Sequence, residues 1–338
     1  RRQAQRQRRK LVRHLPIILA LFLAFSALAA GVFALTRFVL NRQPISSASA
    51  SSSTAKTTSE DPAQPISSPA SGTLAQAAYI AAGYDYDRAI ALIKEDSSLA
   101  EDPAALEAIT SYEEAKASLL PADVQNVPHV FFHSLIMDTA KAFDGDSRTP
   151  GYNSVMTTKD EFLKMLDAFY EDGYVLVRIR DIASETTDEN GNTVFSWGEI
   201  LLPEGKKPLV MSQDDVCYYP YMEKDGFARR IVIGEDGKPT AEMVMEDGSI
   251  STGPYDLIPI LEDFIEEHPD FSYKGARAII AFTGYEGILG YRTAASYSDS
   301  PNYEQDREQA AKVAQCLKDN GWELASHSWG HLWMGVSS

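Results

Sequence analysis

The pattern of apolar and polar positions divides the 338-residue chain into four stretches. Leu15 to Leu35, LPIILALFLAFSALAAGVFAL, runs for 21 residues without a charge. A helix of about 20 apolar residues crosses a bilayer, so the pattern predicts a basic N-terminus and transmembrane anchor over residues 1–42. Residues 43–73 are rich in Ser, Ala and Pro and have no apolar periodicity, which predicts a flexible linker. In residues 74–120 the apolar side chains return at helical spacing, at Ala78, Ile80 and Ala81, then at Ala89, Ile90, Leu92 and Ile93. Asp102 followed by Pro103 marks the start of a second run, so this stretch predicts a small helical hairpin.

From Pro121 the period alternates between strand and helix. Strands are predicted over residues 127–136, 174–179, 207–212, 276–283 and 322–328. The helix over 157–173 has Thr158 and Glu161 placed as a capping box, Phe162, Met165, Leu166 and Phe169 on one face, and Gly173 at its end. Further helices are predicted over 255–268, with Asp256 as cap, and over 306–321. Such alternation predicts an α/β domain with a parallel sheet over residues 121–338. Residues 226–253 interrupt it with β-forming residues and the turn signals EDGK and EDGS, which predicts an inserted β-hairpin or small sheet.

Charge bears on placement and partners. Residues 1–14 carry seven Lys and Arg and no acid. A basic flank stays in the cytoplasm, so the expected placement is a single-pass cell-membrane protein with its catalytic domain outside. A cleavable signal peptide ending at Ala27-Leu28-Ala29 is the alternative. Beyond residue 42 there are 22 basic against 48 acidic side chains, a balance near −26. That excess argues against nucleic acid, whose phosphates require Lys and Arg. The two cysteines, Cys217 and Cys316, read as free thiols.

Two short segments carry candidate chemistry. PLVMSQDDV places Asp214 and Asp215 just after an apolar strand, where sites form in parallel α/β folds. Neighbouring strand residues face opposite ways, so both carboxylates serve one site only if the chain is turning there. ELASHSWGH closes another strand with His327 and His331, which share a face if the segment makes a helical turn. One Asp and two His make three metal ligands with positions left open, the pattern of a catalytic centre. Of the other histidines, His14 lies in the basic tail and His268 ends a helix, while His129 and His133 lie on the first strand without an assigned role.

These two segments, in this order, resemble the first and second motifs of NodB-type polysaccharide deacetylases, carbohydrate esterase family four, usually T-F-D-D-G and H-[ST]-x-x-H. The resemblance extends to VPHVFFHSL and to TTKDEFLKMLDAFYEDGY, and covers roughly residues 126–338 without the insert. It implies a distorted (β/α)7-type barrel and a divalent metal, zinc above all, held by Asp215, His327 and His331. Asp214 would be the general base in hydrolytic N-deacetylation of an N-acetyl amino sugar in a cell-wall or extracellular polysaccharide. Gln213 and Val216 depart from the usual Phe and Gly of the first motif.

The family carries an arginine motif and a late histidine, its general acid, after the second motif, whereas here LWMGVSS follows it. The expectation is therefore the N-terminal part of the barrel, inactive by itself. Two other readings use the same residues. One is a non-catalytic surface protein that binds glycan; the other is a non-haem iron oxygenase, whose facial triad also takes two His and a carboxylate.

Overall fold

The computed structural model describes residues 72–332. Three helices come first, α1 (Thr73–Ala82), α2 (Tyr86–Glu95) and α3 (Pro103–Ala117), where periodicity predicts two. The first run is cut at a corner. Tyr84 takes a left-handed φ of 67°, and Asp85 caps α2 by accepting from the Arg88 N–H. A Cβ at Gly83 would lie 2.9 Å from the Ser272 carbonyl oxygen, so this corner requires glycine. The helices pack through Ala77, Ile80, Ala81, Ala89, Ile93 and Ala105.

The α/β part begins with β1 (Leu120–Pro121) and β2 (His129–Phe132), followed by short helices α4 (Thr139–Ala142) and α5 (Thr149–Val155). Next come α6 (Lys159–Glu171), β3 (Tyr174–Leu176) and α7 (Ile179–Ile182). A hairpin follows, β4 (Ala183–Thr187) and β5 (Thr193–Trp197), then β6 (Leu201–Leu202) and β7 (Lys207–Gln213). The chain continues through β8 (Arg230–Ile233), β9 (Pro239–Val244), β10 (Ile250–Gly253) and α8 (Leu257–Glu267). It closes with β11 (Ile279–Phe282), α9 (Tyr303–Asp319) and β12 (Glu323–Ser326). The capping box of α6 is formed: the Glu161 N–H donates to Thr158 Oγ1, and the Thr158 N–H donates to the Glu161 carboxylate.

The main sheet has the order β12-β11-β7-β2, with β3 paired to the first half of β7, and every pairing is parallel. Every residue of β7 from Pro208 to Gln213 is buried, as a central parallel strand covered on both faces must be. The core is built from Phe162 and Leu166 of α6, Leu257, Ile258 and Leu261 of α8, and Val313 and Leu317 of α9. These close on Leu209, Met211, Ile280 and Trp322. Strands β8, β9 and β10 form a separate antiparallel sheet, with β9 in the middle. Beneath α8 an ion pair is buried: Arg277 Nη2 lies 2.9 Å from Glu262 Oε2, and Trp322 Nε1 donates to Glu262 Oε1 at 2.6 Å.

Two expectations are corrected. The described residues form an open parallel sheet within a mixed α/β fold, not a seven-unit barrel, because β2 and β12 are edges with no strand joining them. No helix among the described residues is long and apolar enough to cross a membrane. The longest, α9, has 17 residues, roughly 26 Å, and buries only Ala310, Val313 and Leu317 while exposing charged side chains. The anchor expected over residues 15–35 lies outside the described residues. A single-pass membrane placement is thus without support in the structure.

Because Glu262 is, among the described residues, the sole carboxylate paired with the buried Arg277 guanidinium, Glu262→Ala removes that partner. The expected loss is about 3–5 kcal/mol of unfolding free energy, measured by denaturant titration.

Candidate metal centre

Strand β7 ends at Gln213, and the chain turns at once. The Asp214 N–H still donates to the Phe132 carbonyl at 2.7 Å, continuing the ladder with β2. Asp215 then takes a φ of 58°, a left-handed conformation that Asp tolerates better than most residues. This single residue breaks the strand alternation and turns both carboxylates to one side. Asp214 Oδ2 lies 4.0 Å from His327 Nδ1, and Asp215 Oδ2 lies 3.5 Å from His331 Nε2.

The histidines arrive from β12 by a route other than the expected helical turn. The His327 N–H donates to the Phe282 carbonyl at 2.7 Å, so His327 still follows the ladder with β11. Ser328 and His331 are both left-handed, with φ of 67° and 47°, and the His331 N–H donates to Ser328 Oγ at 3.0 Å. This loop brings the two imidazole centroids to 5.1 Å. The donor atoms of Asp215, His327 and His331 all lie within 4.8 Å of one another.

That set fits a divalent metal. Ligand atoms about 2.0–2.1 Å from a tetrahedral zinc stand roughly 3.3 Å apart, a modest contraction of the spacing found here. The second oxygen of Asp215 is already engaged, because the buried Thr283 hydroxyl at the end of β11 donates to Oδ1. Oδ2 is thereby turned to the histidines, the usual task of an outer-shell hydrogen bond.

Four side chains without an assigned role from sequence complete the surroundings. His133, just past the end of β2, places Nε2 3.9 Å from Asp215 Oδ2, and its Nδ1 lies 3.3 Å from the Val155 carbonyl oxygen. His129 Nε2 lies 3.0 Å from Ser212 Oγ, which donates to Asp214 Oδ1 at 3.2 Å. The position of His133 at the carboxyl end of a parallel strand is a signal available in the sequence, the same one that marks Asp214. Nothing local marks Ser212 or Thr283.

Gln213 is fully buried and donates through Nε2 to Asp256 Oδ2 at 2.8 Å. Asp256 also accepts from the Leu135 N–H at 2.8 Å and from the Tyr218 hydroxyl. Burial pushes the Asp256 carboxyl above the usual range, while the bonds from Tyr218, Leu135 and Gln213 pull it back. Val216 is fully buried, and its N–H donates to the Ala281 carbonyl at 3.3 Å. Cys217 is buried too, its thiol pushed up to about 12 by desolvation, which makes it inert beside the centre.

Two measurements test the geometry. Zinc titration calorimetry is expected to show one site, with affinity lowered at least about 100-fold in His331→Ala and about 10–100-fold in Thr283→Val. Asp256→Ala, which strands three buried donors, is expected to cost about 3 kcal/mol or more in denaturant unfolding. Comparison of the chain with models of known protein families, with curated proteins and with solved structures finds no match in any of the three.

Proposed function

We propose that the protein is a metal-dependent hydrolase that removes the acetyl group from N-acetyl amino sugars of a polysaccharide. The observation that supports this reading is the convergence of Asp214 and Asp215 with His327 and His331, although 112 positions separate Asp215 from His327. Asp215, His327 and His331 would hold a divalent cation, with zinc favoured by the two-nitrogen, one-carboxylate donor set. When bound, the cation supplies Lewis-acid polarisation of the acyl oxygen and of a water molecule.

The remaining roles belong to the chain. Asp214, outside the ligand set, accepts the proton of the attacking water. Ser212 fixes its orientation, and His129 fixes Ser212. Water adds its oxygen to the acetamide carbon, the C–N bond breaks, acetate leaves, and the sugar nitrogen departs as an amine. That nitrogen requires a proton. His133, whose Nδ1 lies 3.3 Å from the Val155 carbonyl oxygen and whose Nε2 lies 3.9 Å from Asp215 Oδ2, would supply it as the imidazolium, with the proton on Nε2.

Acetate release from N-acetylglucosamine oligomers tests the reading, and release by this chain would overturn the expectation that it is inactive by itself. Asp214→Asn is expected to lower kcat by about 10²–10⁴ while zinc affinity is retained. A chelator should abolish release. Glycan binding without acetate release at any zinc concentration would replace the hydrolase with a binding protein on the same fold.

A further inference from the structure

The hairpin β4–β5 has no buried residue. Two-stranded hairpins that pack against nothing gain little from hydrophobic burial, and their exposed positions are ordinarily polar. This one exposes Phe195 and Trp197, 70% and 61% accessible. The register places Phe195 opposite Glu185 and Trp197 opposite Ala183. Directly opposed residues share a face, so both rings and the Glu185 carboxylate lie on one side. The small Ala183 leaves the indole uncovered. Residues two apart on a strand are about 7 Å apart, so the face presents two exposed aromatic side chains in a row.

The scaffold beneath them is well braced. On the opposite face Ser184 and Ser196 hydroxyls lie 3.1 Å apart, and Thr186 Oγ1 donates to the Val194 carbonyl at 3.3 Å. At the tip the Asp188 carboxylate accepts from the N–H groups of Asn190 and Asn192 and from the Asn192 side-chain amide. Residues 183–199 include Glu185, Asp188, Glu189 and Glu199 and no Lys or Arg. The nearby Arg178 and Arg180 turn instead to Asp181 and Glu323.

We infer that this face binds an amino-sugar polymer bearing free ammonium groups. Phe195 and Trp197 stack on the C–H faces of sugar rings, and Glu185 pairs with an ammonium. Charge complementarity selects this occupant: the hairpin is acidic, its partner cationic, and an aromatic face attracts a cation further. An anionic lipid surface would be repelled. The inference rests on the proposed hydrolysis only for the source of the polymer, since removing an acetyl group turns a neutral amide into an amine that is charged at neutral pH.

The test is equilibrium binding of the full chain to immobilised polyglucosamine and poly-N-acetylglucosamine, in the presence of chelator so that the metal centre takes no part. Binding is expected to favour polyglucosamine at least 10-fold. The double variant Phe195→Ala, Trp197→Ala is expected to lose at least 10-fold of it, with zinc affinity and thermal transition unchanged. Glu185→Gln, which leaves both rings in place, is expected to reduce the preference between the polymers. Equal affinity of wild type and double variant overturns the inference. So does a change in sedimentation of the double variant without a change in polymer binding, which would make a second copy of the chain the occupant. Absent acetate release with hairpin binding intact would overturn the hydrolase reading alone.

Discussion

One buried carboxylate holds together the elements on which the candidate metal centre stands. Asp256 heads α8 and is fully buried, yet no cation is bonded to it among the described residues. Its bonds come instead from the Leu135 N–H beyond β2, the Gln213 amide at the end of β7 and the Tyr218 hydroxyl beyond the acidic doublet. A charge or strong dipole in a low-dielectric interior is tolerated only when its acceptor sites are filled. The converse also holds: the three donors are buried and depend on Asp256. The segment from Gln213 to Tyr218, which contains both Asp214 and Asp215, is therefore tethered at either end to one helix.

This tether accounts for the buried glutamine at position 213. An apolar side chain there would bury well but could not reach α8 with a hydrogen bond. Glutamine trades some apolar burial for a polar contact within the core. The left-handed φ of Asp215 lies between the two anchors, so a locally unfavourable conformation is held by its surroundings. The loop after β12 works in a similar way, with Ser328 and His331 left-handed and a Ser328 side-chain bond closing it. In both places the backbone departs from regular geometry at a candidate ligand.

The centre lies where the carboxyl ends of four parallel strands meet. β2 leads to His133, β7 to Asp214 and Asp215, β11 to Thr283, and β12 to His327 and His331. Parallel pairing puts all these ends on one rim, and the ladder bonds at Asp214 and His327 carry the register into the site itself. The strands contribute in turn an imidazole, a carboxylate pair, a hydroxyl and a pair of imidazoles. The rigidity of the buried strands sets the reach of each one.

The chain's own pattern determined the alternation of strands and helices, the capping box of α6 and the parallel sheet, because period, caps and turn residues are local properties. It also made Asp215, His327 and His331 candidate ligands, since their residue types and strand-end positions are visible without a fold. The break at Gly83 was not legible, because the close approach of Ser272, 189 positions away, enforces it. The open sheet in place of a barrel, the hairpin at 183–197 and the places of His133, Ser212, Thr283 and Asp256 were likewise decided by the tertiary structure. The hairpin at 183–197 is the exception, since its partners are at most 14 residues apart. The others depend on partners distant in the chain, such as His129 for Ser212, and a one-dimensional pattern records which residues are present but not which donors and acceptors burial brings face to face.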